Sequence, residues 1–82
     1  VDFFATWCGP CKMLAPVFDS LSQELTDVDF VKVDIDQSLE LAQKFGITTV
    51  PTMMIFKDGK VVDTLVGFMP KDNLKAKVQA HL

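Results

Sequence analysis

The spacing of apolar residues changes period several times along this chain, and each change marks an element. Residues 1–6 (Val-Asp-Phe-Phe-Ala-Thr) read as a strand. From about residue 9 to 25, Leu14, Val17, Phe18, Leu21 and Leu25 recur at helical spacing and predict a helix with one apolar face. Pro10 suits its first turn, where a missing N–H costs nothing. Pro16 lies inside it and predicts a kink. Residues 28–35 set Val31, Val33 and Ile35 against Lys32 and Asp34, the alternation of a strand. Ser38 is a candidate N-cap for a short helix over 39–45, with Gly46 as its C-terminal stop. A strand over 52–57, a two-residue Asp58-Gly59 hairpin turn and a strand over 61–66 follow, and Gly67 breaks the last of these. Met53, Met54 and Phe56 read as core from strand alternation. Pro70 opens a final helix with Leu74, Val78 and Leu82 four apart on its buried side. The predicted order is β-α-β-α-β-β-α. Parallel crossovers followed by a hairpin imply a mixed sheet covered by helices, an α/β layered domain.

Eighty-two residues allow one small domain and no second core, so residues 1–82 are read as a single unit. An apolar fraction of 49% with 23% charged residues is a globular composition. The chain has 8 basic and 11 acidic residues, for a net charge of −3, and the basic residues are all lysine. That balance argues against a nucleic-acid partner, which needs clustered basic residues. No apolar run approaches the roughly 18 residues a membrane span requires, so no membrane association is expected. The first residue is Val1 and no signal peptide is visible.

The two cysteines, Cys8 and Cys11, stand three apart where the first strand gives way to the first helix. Residues at this spacing on a helix have Cβ atoms about 5–6 Å apart, close to what a disulfide tolerates. The bond can therefore form and break with little backbone movement. A helix N-terminus presents unpaired N–H groups and the positive end of the helix dipole, both of which favour a thiolate. Cys8, at the helix start, is expected to be the exposed nucleophile. Cys11, one turn in, is expected to be more buried and to act second. A disulfide closing so short a loop makes a poor structural staple. Structural zinc needs about four ligands, and beyond the pair only His81 is available, far along the chain. His81 itself reads as solvated at a helix C-terminus. No metal site is expected.

Trp7-Cys8-Gly9-Pro10-Cys11-Lys12, after a strand reading Val-Asp-Phe-Phe-Ala, resembles the active-site signature of the thioredoxin family. Asp2, Pro16, Lys32, the Val50-Pro51-Thr52 turn, the Asp58-Gly59 hairpin and Gly67 follow in the order that family shows, so the resemblance spans the whole chain. It implies a thioredoxin fold that lacks, in this chain, the family's usual first strand and first helix. Phe4 stands where the family often has tryptophan.

The resemblance also implies roles. Asp2 would be a buried acid beneath the disulfide that helps move the proton of Cys11; the other reading of Asp2 is a carboxylate at the solvent-facing end of the strand. Lys32 would neutralise Asp2 from the neighbouring strand, or is a surface lysine. Pro51 would be a cis-proline facing the cysteines, with the Val50 backbone pairing an extended substrate segment. Trp7, Gly9, Pro10 and Gly67 would complete an apolar contact rim.

The implied activity is reduction of protein disulfides through a reversible Cys8–Cys11 dithiol/disulfide, with no cofactor of its own. A flavin-containing, NADPH-dependent thioredoxin reductase is the implied partner, disulfide-containing proteins the substrates, and the cytoplasm the compartment. A module of a larger oxidoreductase, or a non-catalytic docking subunit, are the alternatives. A complete domain is expected to be a monomer. An 82-residue form with an open edge at residues 28–35 is a candidate dimer.

Overall fold

The structure, a computed structural model, describes residues 1–82. Its elements are β1 (Asp2–Phe4), α1 (Gly9–Glu24), β2 (Lys32–Asp34), α2 (Leu39–Lys44), β3 (Thr52–Lys57), β4 (Lys60–Val66) and α3 (Lys71–Gln79). The predicted order of elements holds throughout. Four strands form one mixed sheet in the order β2-β1-β3-β4. β1 pairs with β2 in parallel, and β3 pairs antiparallel with both β1 and β4. β1 is therefore interior, and β2 is an edge strand.

One face of the sheet packs on α1 and α3. Leu14, Phe18 and Leu21 of α1 meet Met53, Leu65, Leu74 and Val78 in the main core. Phe30 closes this core edge-on against Phe18, with ring centroids 5.1 Å apart. Glu24 at the end of α1 pairs with Lys71 and Lys75, which fastens the two helices at their exposed side. The opposite face holds Phe3, which packs on Phe45 just beyond α2, and Phe45 in turn meets Phe56 edge-on. The Asp58-Gly59 turn has both residues at positive φ, 54° and 78°, the conformation whose twist matches a tight hairpin.

Several expectations change. β1 and β2 are three residues each, shorter than the sequence pattern suggested, with single backbone bonds from the Asp2 N–H to the Val31 carbonyl and from the Ile35 N–H to the Phe4 carbonyl marking where the ladder ends. α1 runs through Pro16 unbroken. Ser38 occupies the N-cap of α2 without a side-chain capping bond. Leu82 is exposed, since α3 ends at Gln79 and the last residues leave the helical face. Phe56 is only partly covered: a bulge at Val62 shifts the β3–β4 register beyond Ile55, and Phe56 lies at the outer end of the sheet with Phe45 on one side. Met53 and Met54 are both buried as expected, though by coverage of inner strand β3 on both faces and not by alternation.

Candidate functional site

The end of β1 delivers the chain through Ala5, Thr6 and Trp7 to the N-terminus of α1. Cys8 is the N-cap residue, with extended backbone (φ −89°, ψ 116°), and Pro10 occupies the first turn. The Cys8 sulfur accepts the backbone N–H of Cys11 at 3.1 Å, so it stands where a helix start binds an anion. The two cysteines are joined in a disulfide with Cα atoms 5.2 Å apart. Both are 5% exposed. The expected contrast in exposure is thus absent, and what separates them is position: Cys8 caps the helix and Cys11 lies within it. Ala5 is buried with the pair, and Phe4, Ile35 and Val50 pack around them.

The second wall of the site is the loop before β3. The Val50–Pro51 peptide is cis. The carbonyl oxygen of Val50 lies 3.7 Å from Cys8 Sγ, where it would accept the S–H of the reduced thiol. The Gly67 N–H donates to the Pro51 carbonyl at 2.9 Å and brings the end of β4 against this loop. Gly67 has φ +90°, a conformation that side chains other than glycine's rarely adopt. A Cβ on Gly9 would meet nothing within 4 Å, so glycine there leaves open ground beside the sulfurs. Trp7 is 67% exposed, and its indole N–H donates to Asp36 Oδ2 at 2.9 Å.

Asp2 is buried, and its Oδ1 has no hydrogen-bond partner in the protein. Its cross-strand partner Met53 belongs to the core beneath α1, which places Asp2 on that face. Burial raises its pKa from 3.8 to about 6, partly countered by the nearby charges of Lys32 and the N-terminal amine. The solvent-exposed reading of Asp2 is therefore excluded by its position. Lys32 lies directly across from Asp2 in the β1–β2 ladder. Its ammonium forms an ion pair with Asp19 at 3.0 Å, so it acts on Asp2 through space and not by a direct bond. His81 bonds Asp63 at 3.1 Å and is partly covered, where the sequence suggested full solvation.

Two contacts at the site escaped sequence reading. Asp36 holds Trp7 from the β2–α2 loop; the only local signal is the Asp34-x-Asp36 turn, in which Asp34 Oδ1 accepts the Asp36 N–H. Thr52 donates its hydroxyl to the Thr49 carbonyl at 2.5 Å, and a threonine opening a strand gives no sign of that.

The sequence matches the thioredoxin family profile over residues 1–80. It is 51% identical to a thioredoxin of Bacillus subtilis over 82 residues, which is 99% of this chain and 79% of the relative. Among solved structures, a thioredoxin of Nicotiana alata superposes with a TM-score of 0.92 at 50% identity, covering 98% of this chain and 69% of that one. A thioredoxin of Fasciola hepatica superposes with a TM-score of 0.93 at 43% identity, covering 99% and 77%. With a mixed four-stranded sheet, flanking helices and a cysteine pair at the helix start, this chain belongs to the thioredoxin family of thiol–disulfide oxidoreductases.

Proposed function

We propose that the chain reduces protein disulfides by two successive exchanges at Cys8 and Cys11. The observation that carries this reading is the position of Cys8: its sulfur accepts a backbone N–H at the start of a 16-residue helix, the setting that favours a thiolate. The Cys8 thiolate attacks one sulfur of the substrate disulfide. That bond breaks, the departing sulfur leaves as a thiolate that takes a proton from solvent, and a mixed disulfide joins Cys8 to the substrate. Cys11 then loses its proton to Asp2 and attacks Cys8 Sγ, which frees the substrate's second sulfur and closes the internal disulfide. Two electrons pass from the dithiol to the substrate. A carboxyl titrating near pH 6 is well matched to accept a proton at neutral pH.

The substrate segment lies on the rim made by Trp7, Gly9, Pro10, Val50, Pro51 and Gly67, and Lys32 tempers the charge of Asp2. A flavin-containing thioredoxin reductase drawing on NADPH returns the pair to the dithiol. The cytoplasm is the compartment this chemistry fits, since a reducing pair needs a reducing pool. No helix is long and apolar enough to cross a membrane. The test is insulin precipitation with dithiothreitol as reductant. Catalytic amounts of the chain are expected to shorten the lag severalfold, and a lag equal to that without protein would overturn the reading.

For the oligomeric state of the 82-residue chain we read self-association. A groove of about 500 Å³ opens at Val28, Phe30 and Val31, just before edge strand β2, with the core residues Met53, Leu65 and Leu74 at its floor. Open edges and apolar grooves promote association. Light scattering across a dilution series is expected to show twice the 9.1 kDa chain mass, falling on dilution. A chain-mass monomer at every concentration ends this reading.

A further inference from the structure

Val50 faces the cysteine pair with its backbone unused. Neither its N–H nor its C=O takes part in a backbone hydrogen bond, and the one polar atom close to its carbonyl is Cys8 Sγ. Unpaired backbone N–H and C=O groups of this kind are what an incoming extended segment pairs with. Pro51, which follows Val50, has no N–H and so donates no backbone hydrogen bond to fix the loop. Two bonds hold it. On one side Gly67 N–H reaches the Pro51 carbonyl at 2.9 Å. On the other, the Thr52 hydroxyl reaches back to the Thr49 carbonyl at 2.5 Å and closes the loop across the Val50–Pro51 peptide.

Thr52 is 5% exposed, so water has little access to compete for that bond. Its place as the first residue of β3 does not require an oxygen. Valine has nearly the same shape and an equal liking for a strand, and it would serve the ladder as well. The hydroxyl serves the loop.

We propose that Thr52 is a positioning residue for substrate capture: its hydroxyl brace holds the free N–H and C=O of Val50 in the orientation that pairs with extended backbone flanking a substrate disulfide. This rests on the reading of the chain as a protein-disulfide reductase. The favoured substrate is then a polypeptide whose disulfide lies in an accessible, extended segment. A small disulfide has no backbone to pair and gains nothing from the brace.

The test compares Thr52→Val, which keeps the shape and removes the brace, with Thr52→Ser, which keeps the hydroxyl. Second-order rate constants are measured for the reduced protein with insulin and with 5,5′-dithiobis(2-nitrobenzoate). Thr52→Val is expected to lower the insulin-to-small-disulfide rate ratio about fivefold, the scale of one neutral hydrogen bond. Thr52→Ser is expected to hold that ratio within about twofold of wild type. A ratio unchanged in Thr52→Val, or lowered as far in Thr52→Ser, overturns the proposal, since a purely structural threonine affects both substrates together. If the valine variant does not fold, Thr52→Ala against Thr52→Ser supplies the same comparison. A wild-type chain that reduces the small disulfide and not insulin overturns the underlying reading, and the proposal with it, whatever Thr52 does.

Discussion

Cys8→Ser is expected to lose insulin reduction by at least about a thousandfold, the scale on which removing a catalytic nucleophile acts. The serine hydroxyl can still sit at the N-cap of α1 and accept the Cys11 N–H, since serine is a favoured capping residue. The fold is therefore retained and the loss is chemical. Cys11→Ser separates the two steps. Cys8 can still attack, but nothing in the chain can resolve the product, because these two are its only cysteines. A stable mixed disulfide of one protein to one substrate is expected, visible as an added mass that dithiothreitol removes. Limiting iodoacetamide near neutral pH should label Cys8 first in the reduced wild type, because its sulfur meets the helix N-terminus directly. Predominant labelling of Cys11, or a trapped adduct in the Cys8 variant and not in the Cys11 variant, would reverse the assignment.

What was legible in the sequence is what local physics controls. The apolar stripe Leu14, Phe18, Leu21 has helical period because a helix must bury one face, and these three residues do lie in the core. The Asp58-Gly59 hairpin was legible because few residue pairs accept two positive φ angles. The cysteine pair was legible because its spacing and its place at a helix start are one chemical device. Features decided by tertiary packing were not. Met53 and Met54 are both core as read, but their adjacent burial breaks the alternation used to read them, since helices or loops cover β3 on each side. Leu82 keeps the four-residue spacing of Leu74 and Val78 but lies beyond the last helical turn. Cys8 and Cys11 are equally buried with Phe4, Ile35 and Val50 packed around the pair, and Ile35 and Val50 come from loops distant in sequence. The contacts Trp7–Asp36 and Thr52–Thr49 depend on how two loops arrive at the site, which no local pattern encodes.

Asp2→Asn is expected to raise stability and slow turnover together. A carboxyl with a folded pKa of about 6 in place of 3.8 holds its proton more tightly folded than unfolded. Its contribution to stability is then greatest below pH 3.8, declines as pH rises through that interval, and levels off above about pH 6 with a buried charge retained. The difference across the interval is about 3 kcal/mol at most. Asparagine carries no such charge. Urea unfolding should find the variant more stable than wild type at pH 8 by about 1–3 kcal/mol, with the gap closing at pH 4. A gap of the same size at both pH values would mean that ionisation of Asp2 is not its source. In catalysis the amide cannot accept the proton of Cys11. Stopped-flow fluorescence of Trp7, next to Cys8, resolves formation and release of the mixed disulfide. Release is expected to slow about a hundredfold near pH 7, the low end of what a positioned proton acceptor supplies, while attack by Cys8 stays within about twofold. In the wild type the release rate should rise as pH passes through about 6, where Asp2 ionises, and in the variant that rise should vanish. Equal slowing of both steps would reduce Asp2 to a packing role. Release unslowed in a stabilised variant would leave a buried charge that serves no step of the reaction.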